Sequence, residues 1–295
     1  MGLFNIIYYI IKHPISNHSK IRSVLRFFWW QLRSLFTNRI YLHQFTQHSK
    51  LLIAKGMTGA TGNLYCGLHE YREMLFLLHY LRKDEIFIDV GANIGSYSIL
   101  ASAEIGAISY SFEPLESTYN QLKENVNLNN ISAKAIIYNL GLASKPGELF
   151  FSDELDSSMN HVQNSKSISV DSKRVEVSTL DLILGNLSAS LLKIDVEGFE
   201  YEVLNGANEI LGNKSLKAII IELNGSSKNY GYSDEEINAT LLSYGFKSYT
   251  YNPFDRKLIA AKLNDLDNLI YIREKDIVES KLLNSPKVKI LNLEI

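Results

Sequence analysis

The stretch Ile86-Phe-Ile-Asp-Val-Gly-Ala-Asn-Ile-Gly95 decides the fold of this 295-residue chain. A run of β-branched and aromatic residues ends in an acid, and a turn with two glycines four positions apart follows. The turn opens into residues 96–103, where apolar side chains recur at helical spacing. Glycines let the backbone pass close to a ligand, and a helix N-terminus offers free N–H groups. This order predicts a nucleotide-type pocket, with a plain tight β–α turn as the alternative.

The turn differs from the dinucleotide-binding pattern. The motif G-x-G-x-x-G is absent, and Asp89 stands two positions before Gly91. The acid would repel a pyrophosphate and suits a ligand that carries an amino group, such as S-adenosylmethionine. The next predicted strand ends in Glu113, 22 positions after Gly91. An ionised carboxylate there can accept both hydroxyls of a ribose, although Glu113 could also be a simple turn residue after a strand.

The bulk composition is that of a globular protein. The hydrophobic fraction of 46% supports a full core. No apolar run reaches the roughly 18 residues that span a bilayer, and residues 3–11 lack the features of a signal peptide. A single cysteine suits a reducing compartment. We therefore expect a cytoplasmic protein.

Charge divides the chain into two parts. No acidic residue precedes Glu70, whereas eight basic residues do, which leaves 22 basic against 32 acidic residues in the remainder. Residues 1–60 are predicted to form helices with apolar and cationic faces and crowded aromatics at residues 27–30. This extension could cap the main domain or a second subunit. Alternatively, residues 1–50 could contact the inner face of an anionic membrane. The basic residues are spread too thinly to favour nucleic acid.

The rest of the chain is predicted to form one α/β domain. Glycine-rich residues 56–67 predict a connector, which places the main domain at residues 61–278 and a C-terminal tail at 279–295. Alternating strands and helices predict a mostly parallel sheet with helices on both faces. Seven strands are expected, at residues 86–90, 108–112, 135–140, 191–196, 218–223, 247–251 and 269–272, the last two as an antiparallel pair. A hairpin and an irregular loop are expected within residues 146–178.

Carboxylates follow the two later parallel strands. Asp195, Glu197 and Glu222 should converge on one rim, because ligands in such sheets bind at the carboxyl ends of the strands. Three neighbouring acids repel one another, so a pKa is raised, a cation is bound, or Lys193 compensates. Lys193 itself could be solvated or could bridge the acids.

Several blocks in the correct order and spacing resemble the FkbM-type methyltransferases. These blocks are Phe87-Ile-Asp-Val-Gly-Ala-Asn-Ile-Gly95, Phe112-Glu-Pro114, Glu124-Asn-Val-Asn-Leu-Asn129, Thr179-Leu-Asp181 and Leu192-Lys-Ile-Asp-Val-Glu-Gly-Phe-Glu200. The resemblance implies the class I, Rossmann-like methyltransferase fold and S-adenosylmethionine-dependent O-methylation. It does not cover the helical extension, where residues 13–14 and 28–31 resemble members linked to glycan assembly.

The resemblance also implies roles for individual residues. Asp89, Gly91, Asn93 and Gly95 would surround the methionine part of the cofactor, Glu113 would hold its ribose, and Leu142 would border its adenine. Asp195 and Glu197 are the first candidates for the base, and His161, a loop histidine, is the second. The three acids are of the kind that Mg²⁺ accepts, but no spacing demands a metal, so none is expected.

The expected acceptor is a hydroxyl of a sugar in a surface glycan or its lipid-linked precursor. A small secondary metabolite or a peptide is the alternative acceptor, and a homo-oligomer is compatible with the sequence. A nucleotide-cofactor oxidoreductase is disfavoured by Asp89 and the missing third glycine. A non-catalytic scaffold is disfavoured by the retained acids.

Overall fold

The computed structural model describes residues 2–37, 39–152, 162, 172–263 and 265–295. Their α-helices are, in chain order, α1 Leu3–Lys12, α2 Lys20–Phe36, α3 Thr58–Cys66, α4 Tyr71–Tyr80, α5 Ser96–Ile99, α6 Glu116–Leu128, α7 Leu180–Leu184, α8 Glu200–Asn205, α9 Asn208–Gly212, α10 Asp234–Ser243 and α11 Lys275–Leu283. Their strands are β1 Tyr41–Gln44, β2 Lys50–Ile53, β3 Ile86–Val90, β4 Ile108–Phe112, β5 Ala135–Tyr138, β6 Gly141–Leu142, β7 Gly147–Phe151, β8 Lys173–Ser178, β9 Leu191–Ile194, β10 Ala218–Glu222, β11 Lys247–Asn252, β12 Lys257–Ala260, β13 Asn268–Ile272, β14 Lys289–Ile290 and β15 Leu293–Glu294.

The central sheet has the order β12-β11-β13-β10-β9-β3-β4-β5. The pairings from β10 through β9, β3 and β4 to β5 are parallel, whereas β13, β11 and β12 pair antiparallel. The predicted α/β class and the antiparallel closing pair are confirmed. The sheet has one strand more than the predicted seven, because the short, mostly exposed β12 pairs with β11 at the edge. Chain order reverses at β3, so the switch point that holds ligands in such sheets lies at the end of β3.

Helices cover both faces of this sheet. Strand side chains alternate between faces, so Phe87 packs in the cluster that contains Phe76 of α4, while Ile88 packs in the cluster that contains Leu204 of α8. Both clusters are almost fully buried. The doubly covered sheet gives a rigid platform for the loops at its carboxyl edge.

The extension packs onto the main domain through one shared core. Ile10 of α1 and Phe27 of α2 are buried in the same cluster as Phe76. The hairpin β1–β2 joins the extension to α6, because Asn125 accepts the N–H of Leu52 at 2.7 Å. Residues 1–60 are therefore tied to the sheet through side-chain packing and hydrogen bonds.

The predicted glycine-rich connector is wrong, since residues 58–66 form helix α3. Two glycines and two threonines lower helix propensity here, but tertiary contacts override that preference. The ring of Tyr65 packs against Phe27 at 5.2 Å between centroids. The buried amide of Asn63 accepts the N–H of His69 at 2.7 Å. The proposed boundary at residue 60 falls inside this helix.

The antiparallel pairing expected of the hairpin within residues 146–178 is present among the described residues. Strands β7 and β8 pair antiparallel, and β6 joins β8 in a three-stranded sheet. Val162 forms a bridge to Phe151. His161, the second candidate for the base, lies outside the described residues.

The segment interpreted as a tail is ordered secondary structure. It contains the end of α11 and the hairpin β14–β15. Ile290 and Ile295 are buried in the larger core cluster, which explains why the segment folds back onto the domain.

Candidate active site

The glycine turn after β3 brings the backbone against the end of β9. Gly91, Asn93 and Gly95 all have positive φ, of 78°, 50° and 91°. A Cβ at Gly91 would overlap the carbonyl oxygen of Asp195, so only glycine fits there. Gly95 begins α5 in the left-handed conformation, and a Cβ there would overlap Leu122. The sequence pattern thus reflects close backbone packing at the switch point.

Glu113 lies beside this turn, as its position after β4 predicts. One carboxylate oxygen accepts the N–H of Asn93 at 3.0 Å, and the other accepts the N–H of Leu115 at 3.1 Å. Burial raises the pKa of Glu113 to about 7, although these two hydrogen bonds oppose the shift. A carboxylate has about four acceptor positions, so each oxygen keeps a position for a ligand hydroxyl.

An apolar cavity opens between this turn and the three-stranded sheet. Its polar rim carries Gly91, Asn93 and Glu113 on one side and Asp195 and Glu197 on the other. Its apolar walls include Phe112, Leu115, Leu142, Phe151, Val162, Val196 and Phe199. A flat aromatic ring suits such walls, and a hydroxylated group suits Glu113.

The three predicted acids meet at one point of the rim. Side-chain oxygens of Asp195, Glu197 and Glu222 lie within 4.8 Å of one another. Burial, followed by the charges of Asp195 and Glu197, raises the pKa of Glu222 to about 9. Its Oε2 is buried and has no hydrogen-bond partner among the described residues. Burial and the neighbouring charges therefore favour the protonated form of Glu222.

Lys193 is a buried ion-pair partner of Asp195, not a solvated residue. Its Nζ contacts Asp195 Oδ2 at 2.7 Å, and its side chain is only 5% exposed. The ammonium also lies 4.7 Å from the ring centre of Tyr97. Burial lowers the pKa of Lys193, but Asp195 and Asp89 outweigh it and raise that pKa above its ordinary value. Lys193 thus supplies positive charge to the rim from within the chain, at the position where a divalent cation could otherwise bridge the acids.

Asp89 lies beneath the turn, not in the cavity wall. It is buried and faces Lys193 in the neighbouring strand. Ser98 donates a hydrogen bond of 2.6 Å to its Oδ2, while Oδ1 has no hydrogen-bond partner among the described residues. Asp89 is therefore placed to hold the ammonium group of Lys193 below the site through its charge.

A second, more polar cavity meets the first at Asp195 and Glu197. Lys193 and Glu222 line it from the sheet, and Tyr97 lines it from α5. The other wall comes from Met57, Asn63, His69 and Glu70, around α3 and the start of α4. These wall residues were not predicted from the sequence. The run of small residues before Asn63 was their only signal, and it was interpreted as a connector.

Of the residues predicted for the site, Gly91, Asn93, Glu113, Leu142, Asp195 and Glu197 line the two cavities. Asp89 and Gly95 support the turn from below and beside it.

Comparison with known proteins gives consistent matches. The sequence model of the Methyltransferase FkbM domain family matches residues 89–248. "Hexuronic acid methyltransferase AglP" of Haloferax volcanii is 28% identical over 147 residues, which cover 50% of this chain and 59% of that protein. "Methyltransferase 1" of Beauveria bassiana is 24% identical over 149 residues, covering 43% of this chain and 59% of that protein. The chain thus spans less than two thirds of the length of either relative.

A comparison of structures matches a TehB-like SAM-dependent methyltransferase from Corynebacterium glutamicum. The sequence identity is 11% and the TM-score is 0.40. The alignment covers 73% of this chain and 94% of that chain.

Proposed function

Because the chain belongs to the Methyltransferase FkbM domain family, we propose that it transfers a methyl group from S-adenosylmethionine to a hydroxyl of a sugar. The observation that carries the proposal is the junction of the two cavities at Asp195 and Glu197. An apolar cavity with Glu113 on its rim suits the adenosyl group. A polar cavity with several hydrogen-bonding groups suits a hydroxylated acceptor.

The residues present fit S-adenosylmethionine. Glu113 would accept the ribose hydroxyls, and Leu142 would border the adenine in the apolar cavity. When bound, the cofactor supplies an electrophilic methyl group on a positively charged sulfonium. The acids at the junction favour a cation, since Asp195 and Glu197 outnumber the single positive charge of Lys193 there.

Asp195 is the proposed base. Lys193 holds it by one oxygen and fixes its orientation at the junction of the cavities. Burial and the charges of Asp195 and Glu197 favour the protonated form of Glu222, which can donate a hydrogen bond to the acceptor oxygen. Asp195 would receive the hydroxyl proton while the fixed geometry places that oxygen for attack. Glu197 would complete the wall on the acceptor side.

The rim also indicates the kind of sugar. The curated relative from Haloferax volcanii is named for a hexuronic acid. In this chain the acceptor cavity carries Asp195, Glu197 and Glu70, and its buried lysine is already paired. The carboxylate of a uronic acid would be repelled by these acids. We therefore propose that the acceptor is a neutral sugar and not a uronic acid.

Radiolabelled S-adenosylmethionine tests the proposal on lipid-linked and surface glycans from the source organism. We expect label in an O-methyl sugar after hydrolysis, with neutral sugars labelled in preference to uronic acids and the rate unchanged in EDTA. Asp195→Asn should lower the rate about 10²–10⁴-fold because the proton acceptor is lost.

Two results bear on the alternatives. Glu235→Gln, at an exposed acid on α10, is the control and should keep the wild-type rate. Label in a peptide or a small metabolite instead of a sugar would refute the acceptor, and an unchanged rate in Asp195→Asn would refute the base.

A further inference from the structure

Helix α2 exposes a continuous apolar stripe. Six of its side chains are 48–81% exposed, namely Ile21, Leu25, Phe28, Leu32, Leu35 and Phe36. At about 100° per residue these positions fall within an arc of roughly 100° on the helix surface. A soluble helix normally turns such a stripe toward the core. Here the stripe faces outward.

The opposite side of the same helix packs on the domain. Ser23, Phe27 and Trp30 are buried, and they lie about half a turn from the stripe. Arg26 adds a hydrogen bond of 2.8 Å to the carbonyl of Tyr65 in α3. The helix is therefore held firmly by one face while it presents an apolar face on the other.

Neighbouring elements add to the exposed apolar surface. Phe4 of α1 is 85% exposed, and Tyr8 follows it one turn later as a second exposed aromatic. Ile40 and Leu42, at the start of β1, are also exposed. The ring of Trp29 contacts Tyr41 of β1 at 5.0 Å, which joins α2 to the hairpin. Exposed apolar patches of this extent mark interaction sites.

Cations flank this surface. At about 100° per residue, Arg22 and Arg33 border one edge of the stripe and Lys20 lies beyond the other. The Arg33 guanidinium lies over the rings of Trp29 and Tyr41, at 5.9 and 5.4 Å. No acid occurs in the sequence before Glu70. Aromatic and aliphatic side chains framed by cations are the pattern of helices that lie in the interface of an anionic bilayer.

We propose that the exposed faces of α1, α2 and β1 dock on an anionic lipid surface. A second copy of the chain is the rival occupant. A symmetric contact through this face would bring two cationic borders together without an acid from either extension, which opposes association. An anionic bilayer instead offers an apolar interior for the exposed side chains and negative headgroups for the flanking cations. No helix in the described part of the chain is long and apolar enough to cross a bilayer, so docking would be on one leaflet.

Vesicle flotation tests the proposal on the full-length protein. We expect flotation with vesicles of phosphatidylcholine and phosphatidylglycerol, and little with phosphatidylcholine alone. Leu25→Ser/Leu32→Ser should weaken partitioning about tenfold or more, because two inserted side chains lose their apolar contact. Lys20→Gln/Arg22→Gln should weaken it as well and reduce its salt dependence.

A matched control comes from two exposed leucines outside the extension. Leu242→Ser/Leu283→Ser makes the same chemical change at similar exposure and should float like the wild type. All variants alter exposed side chains, so unchanged melting temperatures are expected. Truncation is unsuitable, because Ile10, Phe27 and Trp30 belong to the core.

Equal flotation of Leu25→Ser/Leu32→Ser and the wild type, or no flotation of either, would overturn the proposal. So would a dimer in sedimentation that this variant dissociates, since the face would then bind a second copy. Docking is independent of the proposed function: transfer to a water-soluble acceptor should be unchanged in every variant, so the two failures are distinguishable.

Discussion

Glu113 combines two tasks in one carboxylate. It holds the glycine turn through the N–H groups of Asn93 and Leu115, and it faces the apolar cavity with acceptor positions to spare. Burial raises its pKa to about 7, so its ionisation changes near neutral pH. A ligand that needs two acceptor oxygens should therefore bind the ionised form.

We predict that affinity for S-adenosylmethionine rises roughly tenfold from pH 6 to pH 8. The raised pKa means that the folded protein keeps the proton below pH 7, and a protonated carboxyl accepts hydroxyls less well. Stability has the opposite trend, since this group favours folding less as pH rises from 4.5 through 7. Calorimetric titration across that range measures the affinity.

Two substitutions at Glu113 separate charge from shape. Glu113→Gln should bind more weakly at pH 8 and lose most of the pH dependence, because its amide cannot ionise. Glu113→Ala should lose about 10- to 100-fold at pH 8, the usual cost of losing hydrogen bonds to a charged group. A wild-type affinity that is independent of pH would exclude Glu113 from the ribose site.

The position of Glu113 could be predicted from the sequence, but the burial of the neighbouring Asp89 could not. A strand end followed by a turn identifies Glu113, and alternation along β3 predicts which face Asp89 points to. Whether Asp89 reaches the cavity depends on Ser98 and Lys193, which cover it from two other elements. Such coverage is a tertiary property, so spacing alone could not give it.

At the scale of elements, Asn125 of α6 links the extension to the active-site turn. It accepts the N–H of Leu52 in β2 at 2.7 Å and donates to the carbonyl of Ile94 at 2.8 Å. Asn125 is fully buried, so both bonds lie away from water. The hairpin thus supports the turn through a single side chain.

We predict that Asn125→Ala costs about 1–3 kcal/mol of unfolding free energy and also weakens cofactor binding several-fold. The loss of the bond to Ile94 frees the turn that carries Asn93. Chemical denaturation and calorimetric titration of the same preparation measure the two effects.

Asn129, one turn later at the C-terminal cap of α6, is the matched control. Its side chain bonds both backbone groups of Lys50 in β2 at 2.8 Å and makes no contact with the turn. Asn129→Ala should therefore lose stability but keep cofactor affinity. Equal affinity losses in the two variants would show that the hairpin acts on the site only through general stability.

Elements with strong local signals were predictable from the sequence. The bounds of β3 and β4 agree with the expectation residue for residue, because both strands are bounded by turn residues. Helix α3 was missed because its glycines and threonines favour a loop and its helical state depends on contacts of Asn63 and Tyr65 with other elements. Strand β12 was missed because it lies at the edge of the sheet. Most of its side chains are exposed there, so its sequence shows little hydrophobic alternation.

At the scale of the whole molecule, α3 connects the two electrostatically different parts of the chain. Tyr65 packs on Phe27 of the cationic extension, while Asn63 of the same helix lines the polar cavity. The proposed lipid-facing surface and the proposed acceptor cavity therefore share one structural element. This arrangement suits an acceptor that is itself carried at a lipid surface.

A crystal structure with S-adenosylhomocysteine bound tests the assignment of the two cavities most directly. We expect its ribose hydroxyls on Glu113, its adenine beside Leu142 in the apolar cavity, and its sulfur at the junction next to Asp195. An adenosyl group in the polar cavity, or a ribose with no contact to Glu113, would contradict the assignment of the two cavities.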